Sequence, residues 1–200
     1  IKDRQSKQAS MAFTATNIRA IIEVALYNAS DIMKQCVVDV FDTATSYHDK
    51  NKIHHEGWKT NKSWRLNNKI IIPRGISYEH KWGSWSLVWV DTDFYRDLDK
   101  AMCFVAGKRH EDMQRDYQEL SRSRYNPDVK RPKPQTIVDA IEDHTHGYWG
   151  LDWNEIFESN FFRIKIHKKG TVHLWFKDDD LCAAFNRMAA KGKNWVGDGS

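Results

Sequence analysis

The segment RIKIHKKGTVHLWF, residues 163–176, constrains the fold more than any other stretch of the sequence. Apolar and polar residues alternate on both sides of Lys168-Lys169-Gly170, which predicts a β-hairpin with a three-residue loop. Glycine at the end of this loop can adopt the positive φ that such a loop requires. In this register the apolar residues of the two strands share one face: Phe162, Ile164, Ile166, Val172, Leu174 and Phe176. A two-residue loop would instead set Ile166 against His173 and break this sorting.

The other face of the predicted hairpin, called the second face below, carries cations, imidazoles and an indole: Arg163, Lys165, His167, His173 and Trp175. Positive charge beside stacking surface is typical of proteins that bind a phosphate-bearing polymer. The alternative is the solvated outer side of an antiparallel sheet, and the hairpin alone does not separate the two. We predict that Arg163, Lys165, His173 and Trp175 are solvent-accessible and belong to a basic surface.

Basic residues are clustered rather than abundant. The chain has 31 Lys and Arg against 27 Asp and Glu, a formal net charge of +4, so local clustering matters more than the total. Residues 50–69, KNKIHHEGWKTNKSWRLNNK, hold six cations and two tryptophans against one acidic residue. Together with the hairpin, this pattern predicts a set of nucleic-acid-binding residues: Trp58, Lys62, Trp64, Arg65, Arg163, Lys165, Lys169 and Trp175.

Histidine is the residue most informative about chemistry, with nine copies in the chain. Two imidazoles beside a lysine can cleave a ribose phosphodiester without a metal, because one removes the 2′ proton and the other protonates the leaving oxygen. The lysine stabilises the negative phosphorane. If the loops converge, the predicted catalytic residues are His55, Lys59, His146 and His173. Lys165 opposite His173 favours the neutral imidazole near pH 7, as a general base requires.

A metal site is an alternative use of one histidine-rich segment, which contains Glu142, Asp143, His144, His146 and Asp152. The same residues can equally cap a helix and hydrogen-bond within a loop, so we assign no metal ligand. The acidic run at 178–180 precedes an apolar helical segment and is better explained as a helix N-cap. There is no GxGxxG or GxxxxGK[ST] motif, so no nucleotide cofactor is indicated. A divalent metal cofactor stays open.

The order of the predicted elements indicates an α+β fold. Apolar residues recur at helical spacing from Asn17 to about Tyr47, which predicts a long N-terminal helix whose stripe belongs to the core. A small, mainly antiparallel sheet with a C-terminal β-hairpin and flanking helices complete the fold. We expect a single domain over residues 1–200, or two lobes at 11–120 and 136–200. The Pro-rich, basic segment 121–135 would then join the lobes as a loop.

Nothing in the sequence approaches a membrane-spanning apolar run. The polar stretch that starts at Ile1 lacks the apolar segment of a secretory signal, so we expect a cytoplasmic protein without a membrane partner. Cys36, Cys103 and Cys182 lie far apart in helix-like segments and are expected to be reduced thiols.

Three stretches, HHEGWKTNKSWRLNNKIIIP, HTHGYWGLDWNEIFESNFF and IKIHKKGTVHLWFKDDDLCAAFN, resemble an uncharacterised bacterial domain family over nearly the whole chain. That family occurs on prophages and other mobile elements, often near small toxin-antitoxin genes. In some relatives it is joined to adenine-methyltransferase-like domains, but no methyltransferase segment is present in these 200 residues. The resemblance implies a setting of conflict between mobile DNA, phage and host, in which nucleic acid is the commonest target.

These observations predict a protein that acts on DNA or RNA, with phosphodiester hydrolysis as the leading enzymatic version. The rival interpretation is a non-catalytic module that binds nucleic acid or a partner protein, such as a host, phage or toxin-system protein. The two differ in geometry, because an enzyme needs at least two of the named histidines, with Lys59 or a metal, around one cleft.

Overall fold

A computed structural model of the chain describes residues 14–50, 61–62, 64–81, 84–113, 132–145 and 153–195. In this part of the chain the helices are α1 (Ala15–Lys50), α2 (Thr92–Val105), α3 (Ile137–Thr145) and α4 (Asp179–Gly192). The strands are β1 (Asn61–Lys62), β2 (Arg65–Leu66), β3 (Lys69–Ile72), β4 (Ile76–Lys81), β5 (Ser84–Val90), β6 (Phe157–Glu158), β7 (Phe162–Ile166) and β8 (Val172–Phe176). The α+β class, the long N-terminal helix and the C-terminal hairpin are confirmed.

The hairpin belongs to a four-stranded antiparallel sheet with the strand order β3-β8-β7-β6. Ile164 pairs with Leu174 and Lys165 with His173, which confirms the predicted register. The loop closes when the His167 N–H donates to the Thr171 carbonyl at 2.9 Å. Gly170 has a φ of 78°, as the three-residue loop requires. Strand β8 is an inner strand of this sheet, because β3 pairs along its other edge.

A second hairpin, β4–β5, begins against the loop of the first. The Ile76 N–H donates to the Gly170 carbonyl at 3.3 Å. A Cβ atom on residue 170 would clash with the Ile76 carbonyl oxygen. Gly170 is therefore required twice, for its positive φ and for this close approach of two backbones.

Two of the helices begin with an aspartate that caps the first turn. The Asp91 carboxylate accepts from the Phe94 N–H at the start of α2. Asp178 accepts from the N–H groups of Asp180 and Leu181 at the start of α4. The acidic run at 178–180 is therefore an N-cap, because its first carboxylate satisfies donors that the helix leaves unpaired.

A buried carboxyl group connects α2 to α3. Asp99 of α2 is fully buried, and its Oδ2 accepts from the Ile137 N–H at 2.8 Å. Burial raises the pKa of Asp99 to about 7; the Ile137 bond lowers it and the neighbouring Asp139 raises it further. Helix α3 is thus fixed by a carboxyl group that becomes protonated as pH falls through about 7.

The core lies between the apolar face of the sheet and the helices. The second half of α1 contributes Val37, Val40 and Phe41, which pack with residues of α2, α3 and α4 in one buried cluster. The cluster includes residues from both sides of the predicted loop 121–135, of which residues 121–131 lie outside the described ranges. The two-lobe division stays a prediction.

The first half of α1 corrects one prediction. Its apolar stripe was expected to belong to the core, but Ile18, Ile22 and Ile32 are 40–61% exposed. The helix becomes buried only from Val37 onward. Helical periodicity shows that one face is apolar, and it does not show what covers that face. Neither α1 nor any other helix of the described ranges is long and apolar enough to cross a membrane.

Candidate functional site

The second face of the sheet is arranged in rows that run across the strands. One row runs through Lys69 of β3, Trp175 of β8, Arg163 of β7 and Glu158 of β6. The next row places Ile71, His173 and Lys165 side by side. Both rows follow from the alternation of side chains along each strand once β3 is paired with β8.

The predicted exposure of the second face is wrong at its centre. Arg163 is exposed and both Lys165 and Trp175 are half-buried, but His173 is only 8% exposed. The prediction treated β7–β8 as an isolated hairpin. Because β8 is an inner strand, His173 has a neighbouring strand on each side, and Ile71 of β3 is itself 8% exposed.

Two imidazoles contact each other at the end of the hairpin. The Nε2 atom of His167 lies 3.1 Å from the Nδ1 atom of His173, and the ring centroids are 4.2 Å apart. One of these nitrogens must donate and the other accept. The Trp175 ring meets His173 edge-on at 5.6 Å between centroids. Both histidines are thus held in fixed orientations by aromatic and hydrogen-bonding contacts.

Burial and nearby cations keep this histidine pair neutral. Burial lowers the pKa of His173 to about 3, with further lowering by Lys69, His167 and Lys165. Burial also lowers the pKa of His167, again with help from Lys165 and Lys69. The expected neutral form of His173 is confirmed, although burial rather than Lys165 is the largest cause. A pKa this low makes His173 a weak base at neutral pH.

A cavity of about 480 Å³ opens beside the histidine pair. Its volume lies within the range of small-ligand pockets. The loop and strands of the hairpin supply most of its wall, and the segment before β6 supplies the rest. The lining residues are Trp153, Asn154, Lys165, His167, Lys168, Lys169, Thr171 and His173. We call this space the hairpin cavity; its lining contains three lysines and no acidic residue among those described.

The opposite wall of the hairpin cavity is held by the second hairpin. Trp153 packs edge-to-face on Tyr78 of β4, with ring centroids 5.1 Å apart. Tyr78 is half-buried, and burial raises the pKa of its hydroxyl. The contact between Ile76 and Gly170 fixes β4 beside the loop. The hairpin cavity is therefore bounded by the β7–β8 hairpin and by Trp153 and Asn154, and Tyr78 of β4 supports Trp153 from outside the cavity.

Further cationic and aromatic groups extend the second face away from the cavity. The Lys69 ammonium lies 5.1 Å above the Trp175 ring, a cation–π contact. Burial lowers the pKa of Lys69. The acid of this row, Glu158, forms an ion pair with Lys177 at 2.9 Å. The hydrogen bond from Lys177 is also the largest cause of the lowered pKa of Glu158. The charge of this carboxylate is therefore paired with Lys177.

Some of the predicted site residues come together, and others do not. Lys165, Lys169 and His173 line the hairpin cavity, and Arg163 and Trp175 lie on the same face. Arg65 of β2 and the neighbouring Trp64 are exposed but do not line it. The Leu66 N–H donates to Asn186 of α4 at 2.8 Å, which places β2 beside the helices.

The remaining predictions fall largely outside the described ranges. This applies to His55, Trp58, Lys59 and His146, and to the side chain of Lys62. The convergence of the proposed catalytic set stays a prediction for this reason.

The candidate metal cluster is only partly described, because His146 and Asp152 fall outside the ranges. His144 stacks on Phe157 at 4.2 Å between centroids. Its Nδ1 atom lies 3.5 Å from the Glu155 carboxylate. In the part of the chain that the structure describes, no three His, Cys, Asp or Glu side chains lie close enough to hold a metal ion. The contacts of His144 are those of a packed structural residue.

The sequence reasoning missed Lys69, His167, Trp153 and Asn154 as site residues. His167 had a local signal, since it flanks the loop on the second face, but it was not assigned a role. Lys69 had a weaker local signal, which is its position next to the isoleucines of β3. The pairing of β3 with β8 and the approach of Trp153 are long-range contacts, and the local pattern does not encode them.

Comparison with known proteins gives a family but no activity. Residues 1–195 match the model of a domain of unknown function (DUF4942). No curated protein and no solved structure matches the chain.

Proposed function

Because the chain belongs to the DUF4942 family, whose description carries no activity, we propose a function from the site itself: binding of the phosphate backbone of nucleic acid at the hairpin cavity. One observation carries the proposal. Three lysines and two neutral imidazoles line a single cavity of about 480 Å³ next to an aromatic residue. No acidic residue of the described ranges lines it, so its field attracts anions.

The groups around the cavity match the parts of a nucleotide. Ammonium groups attract phosphate oxygens, and Asn154 and Thr171 can add neutral hydrogen bonds. Trp153 at the cavity and Trp175 on the same face offer stacking surface for bases. A groove that combines cations with aromatic platforms favours single-stranded nucleic acid, whose bases are free to stack.

The proposed setting is a cytoplasmic conflict between mobile DNA, phage and host. The family resemblance supports this setting through its association with prophages, toxin-antitoxin genes and methyltransferase-like domains. In this setting the ligand is phage or host DNA or RNA. A host, phage or toxin-system protein is the rival partner, and it would not need three lysines around one cavity.

Cleavage of the bound strand is a second candidate function. Its supporting observation is His167, which lines the cavity beside Lys165 and is held neutral at pH 7. Direct contact between His167 and His173 argues against one role each as base and acid, since the two groups must act on opposite sides of the phosphorus. A cleavage mechanism would therefore need His55, Lys59, His146 or a divalent metal as the second group.

Binding is tested with fluorescently labelled single-stranded DNA, single-stranded RNA and duplex DNA at several salt concentrations. Replacing Lys165, Lys168 and Lys169 by Gln should weaken binding by about tenfold to a hundredfold at 0.1 M salt. The slope of log K against log salt should become shallower by about 2, because about three fewer counterions are released. A matched control, Gln at Lys34, Lys108 and Lys191, removes the same charge elsewhere and should leave affinity nearly unchanged. Equal losses in both triple variants, or salt-independent binding, would refute the proposal.

Cleavage is tested by incubating the same labelled strands with the purified protein, with and without Mg²⁺, Mn²⁺ or Zn²⁺. If strands are cut at the hairpin cavity, His167→Ala should slow the reaction by about a hundredfold or more. His173→Ala carries the same expectation from the sequence, but its low pKa predicts a smaller loss. No cleavage under any condition would leave the binding function alone.

A further inference from the structure

The first half of α1 carries an apolar surface that no described residue covers. Ile21, Ile22 and Ile32 are 51–61% exposed, and Leu26 is 71% exposed. All residues from Ile18 to Ile32 are exposed over about four helical turns. Continuous apolar patches of this kind on soluble proteins mark interaction sites. The hairpin cavity lies on the sheet, so this helix is a separate surface.

The spacing along α1 specifies the shape of the partner. Apolar and small residues recur at alternating intervals of four and three residues: Ile18, Ile22, Ala25, Ala29, Ile32 and Cys36. This heptad repeat is the pattern of a seam that packs against another helix. Ile21 and Leu26 flank the seam, one on each side, and widen the apolar surface.

The charged residues of this half lie away from the seam. Glu23, Asp31 and Lys34 occupy the outer positions of the heptad, and Asp31 pairs with Lys34 at 2.9 Å. Arg19 is the one charged residue directly beside the seam between Ile18 and Cys36. A strongly charged partner would find little complementarity here, whereas a helix with the same neutral seam would meet no like-charge repulsion.

The two ends of the seam have complementary shapes. Ile18 and Ile22 project from the part of α1 that stands clear of the core. At the other end, a groove of about 650 Å³ lies between α1 and α2. Apolar residues such as Ile32, Met33 and Phe94 line it together with the charged residues Asp39, Asp97 and Lys100. One helix therefore carries both a ridge and a groove, at opposite ends of the same seam.

We infer that α1 pairs in antiparallel orientation with α1 of a second copy of this chain. A two-fold axis that crosses the seam midway between Ala25 and Ala29 places Ile18 opposite Cys36 of the other copy, Ile22 opposite Ile32, and Ala25 opposite Ala29. Each ridge then enters the groove of the other copy, which is the self-complementary contact that a two-fold interface requires. The antiparallel arrangement also puts the two folded bodies at opposite ends of the helix pair.

The oligomeric state of the full chain tests this inference by sedimentation velocity over a range of concentrations. The unmodified protein should be a dimer at micromolar concentration. Ile22→Glu should raise the dimer dissociation constant by about a hundredfold or more, because it buries a carboxylate in the seam. Tyr27→Glu is the matched control: this position is 86% exposed and lies outside the seam, so the dimer should persist. A monomeric unmodified protein at about 100 μM, or equal effects of both variants, would overturn the inference.

The orientation is tested separately by disulfide cross-linking. Ala25→Cys and Ala29→Cys proteins, mixed and oxidised, should form a heterodimer linked between positions 25 and 29. Each variant alone should cross-link poorly, because identical positions are offset in an antiparallel pair. Peptide mapping distinguishes this linkage from bonds to the three native cysteines. A strong link between two copies of Ala25→Cys would indicate a parallel pair and contradict the proposed register.

Discussion

On the core face of β8, Val172, Leu174 and Phe176 are at most 1% exposed and pack in the central cluster. On the second face, alternate residues of the same strand range from buried His173 to half-buried Trp175 and contact cations and imidazoles. The two faces of this strand therefore have different roles. The core face supplies the free energy of folding, and the second face holds polar groups at fixed positions beside a cavity.

The largest effect should come from the core face. Leu174→Ala removes a fully buried side chain and should lower the free energy of unfolding by about 2–5 kcal/mol. Lys165→Ala on the paired strand should change it by less than about 0.5 kcal/mol, because a half-buried surface side chain is lost. Urea denaturation followed by circular dichroism measures both. Similar losses from the two variants would contradict the division of roles.

Asp99 in the interior and His173 on the second face are both buried and titratable, and their contributions to stability should respond to pH in opposite directions. His173 has a folded-state pKa of about 3, below its ordinary 6.5, so the unfolded chain binds more protons between these values. Its stability contribution is present above about pH 6.5 and is lost as pH falls. Asp99 has a folded-state pKa of about 7, above its ordinary 3.8. Its contribution is present below about pH 4 and is lost as pH rises.

The contributions of His173 and Asp99 change the free energy of unfolding with pH in opposite directions. The two changes should largely cancel in the unmodified protein between about pH 4.5 and 6.5. Relative to that protein, His173→Gln should make stability fall with rising pH, and Asp99→Asn should make it rise. Each change should be about 1 kcal/mol per pH unit. Asn can still accept the hydrogen bond from Ile137. Urea titrations at three pH values measure the slopes, with the double variant as reference. Identical slopes in both single variants would show that neither group is buried as described.

A smaller effect than that of Leu174→Ala is expected at the loop that joins the two hairpins. Gly170→Ala should cost about 2–3 kcal/mol, from the positive φ and from the clash with the Ile76 carbonyl. Gly107→Ala is the control: it has a φ of 64° but no atom within 4 Å of the added Cβ. That variant should cost only about 1 kcal/mol, the penalty of the backbone conformation. Equal costs would mean that β4 does not approach the loop closely.

The smallest effect concerns the aromatic part of the second face. Trp175→Ala should weaken binding to single-stranded nucleic acid by about tenfold, the lower end of the range for one lost base stack. Trp64→Ala removes an exposed indole beside β2 and should have no effect if the second face is the binding site. A fluorescence polarisation titration compares them. A greater loss from Trp64→Ala would move the site to the β1–β2 side of the molecule.

The sequence predicted what depends on neighbours along the chain. The register of β7–β8 follows from loop length, Gly170 and alternation, all within fourteen residues. The N-cap in the acidic run at 178–180 is equally local.

The errors arose where a distant segment decides the outcome. His173 was expected to be accessible because nothing in the hairpin reveals that β3 pairs with β8. The whole apolar stripe of α1 was expected to be core, but its first half is exposed. Helical periodicity does not distinguish a covered apolar face from an exposed one. The convergence of His55, Lys59 and His146 with His173 stays a prediction, because those three residues lie outside the described ranges.

Binding of nucleic-acid phosphate at the hairpin cavity is tested most directly by NMR. Backbone amide spectra of the isotopically labelled protein are recorded during titration with a short single-stranded oligonucleotide. Shift changes should be largest for residues 165–171, Trp153 and Asn154, and they should disappear when Lys165, Lys168 and Lys169 are replaced by Gln. Binding with shift changes confined to α1 or to the β1–β2 side, and none around the cavity, would contradict the proposed site.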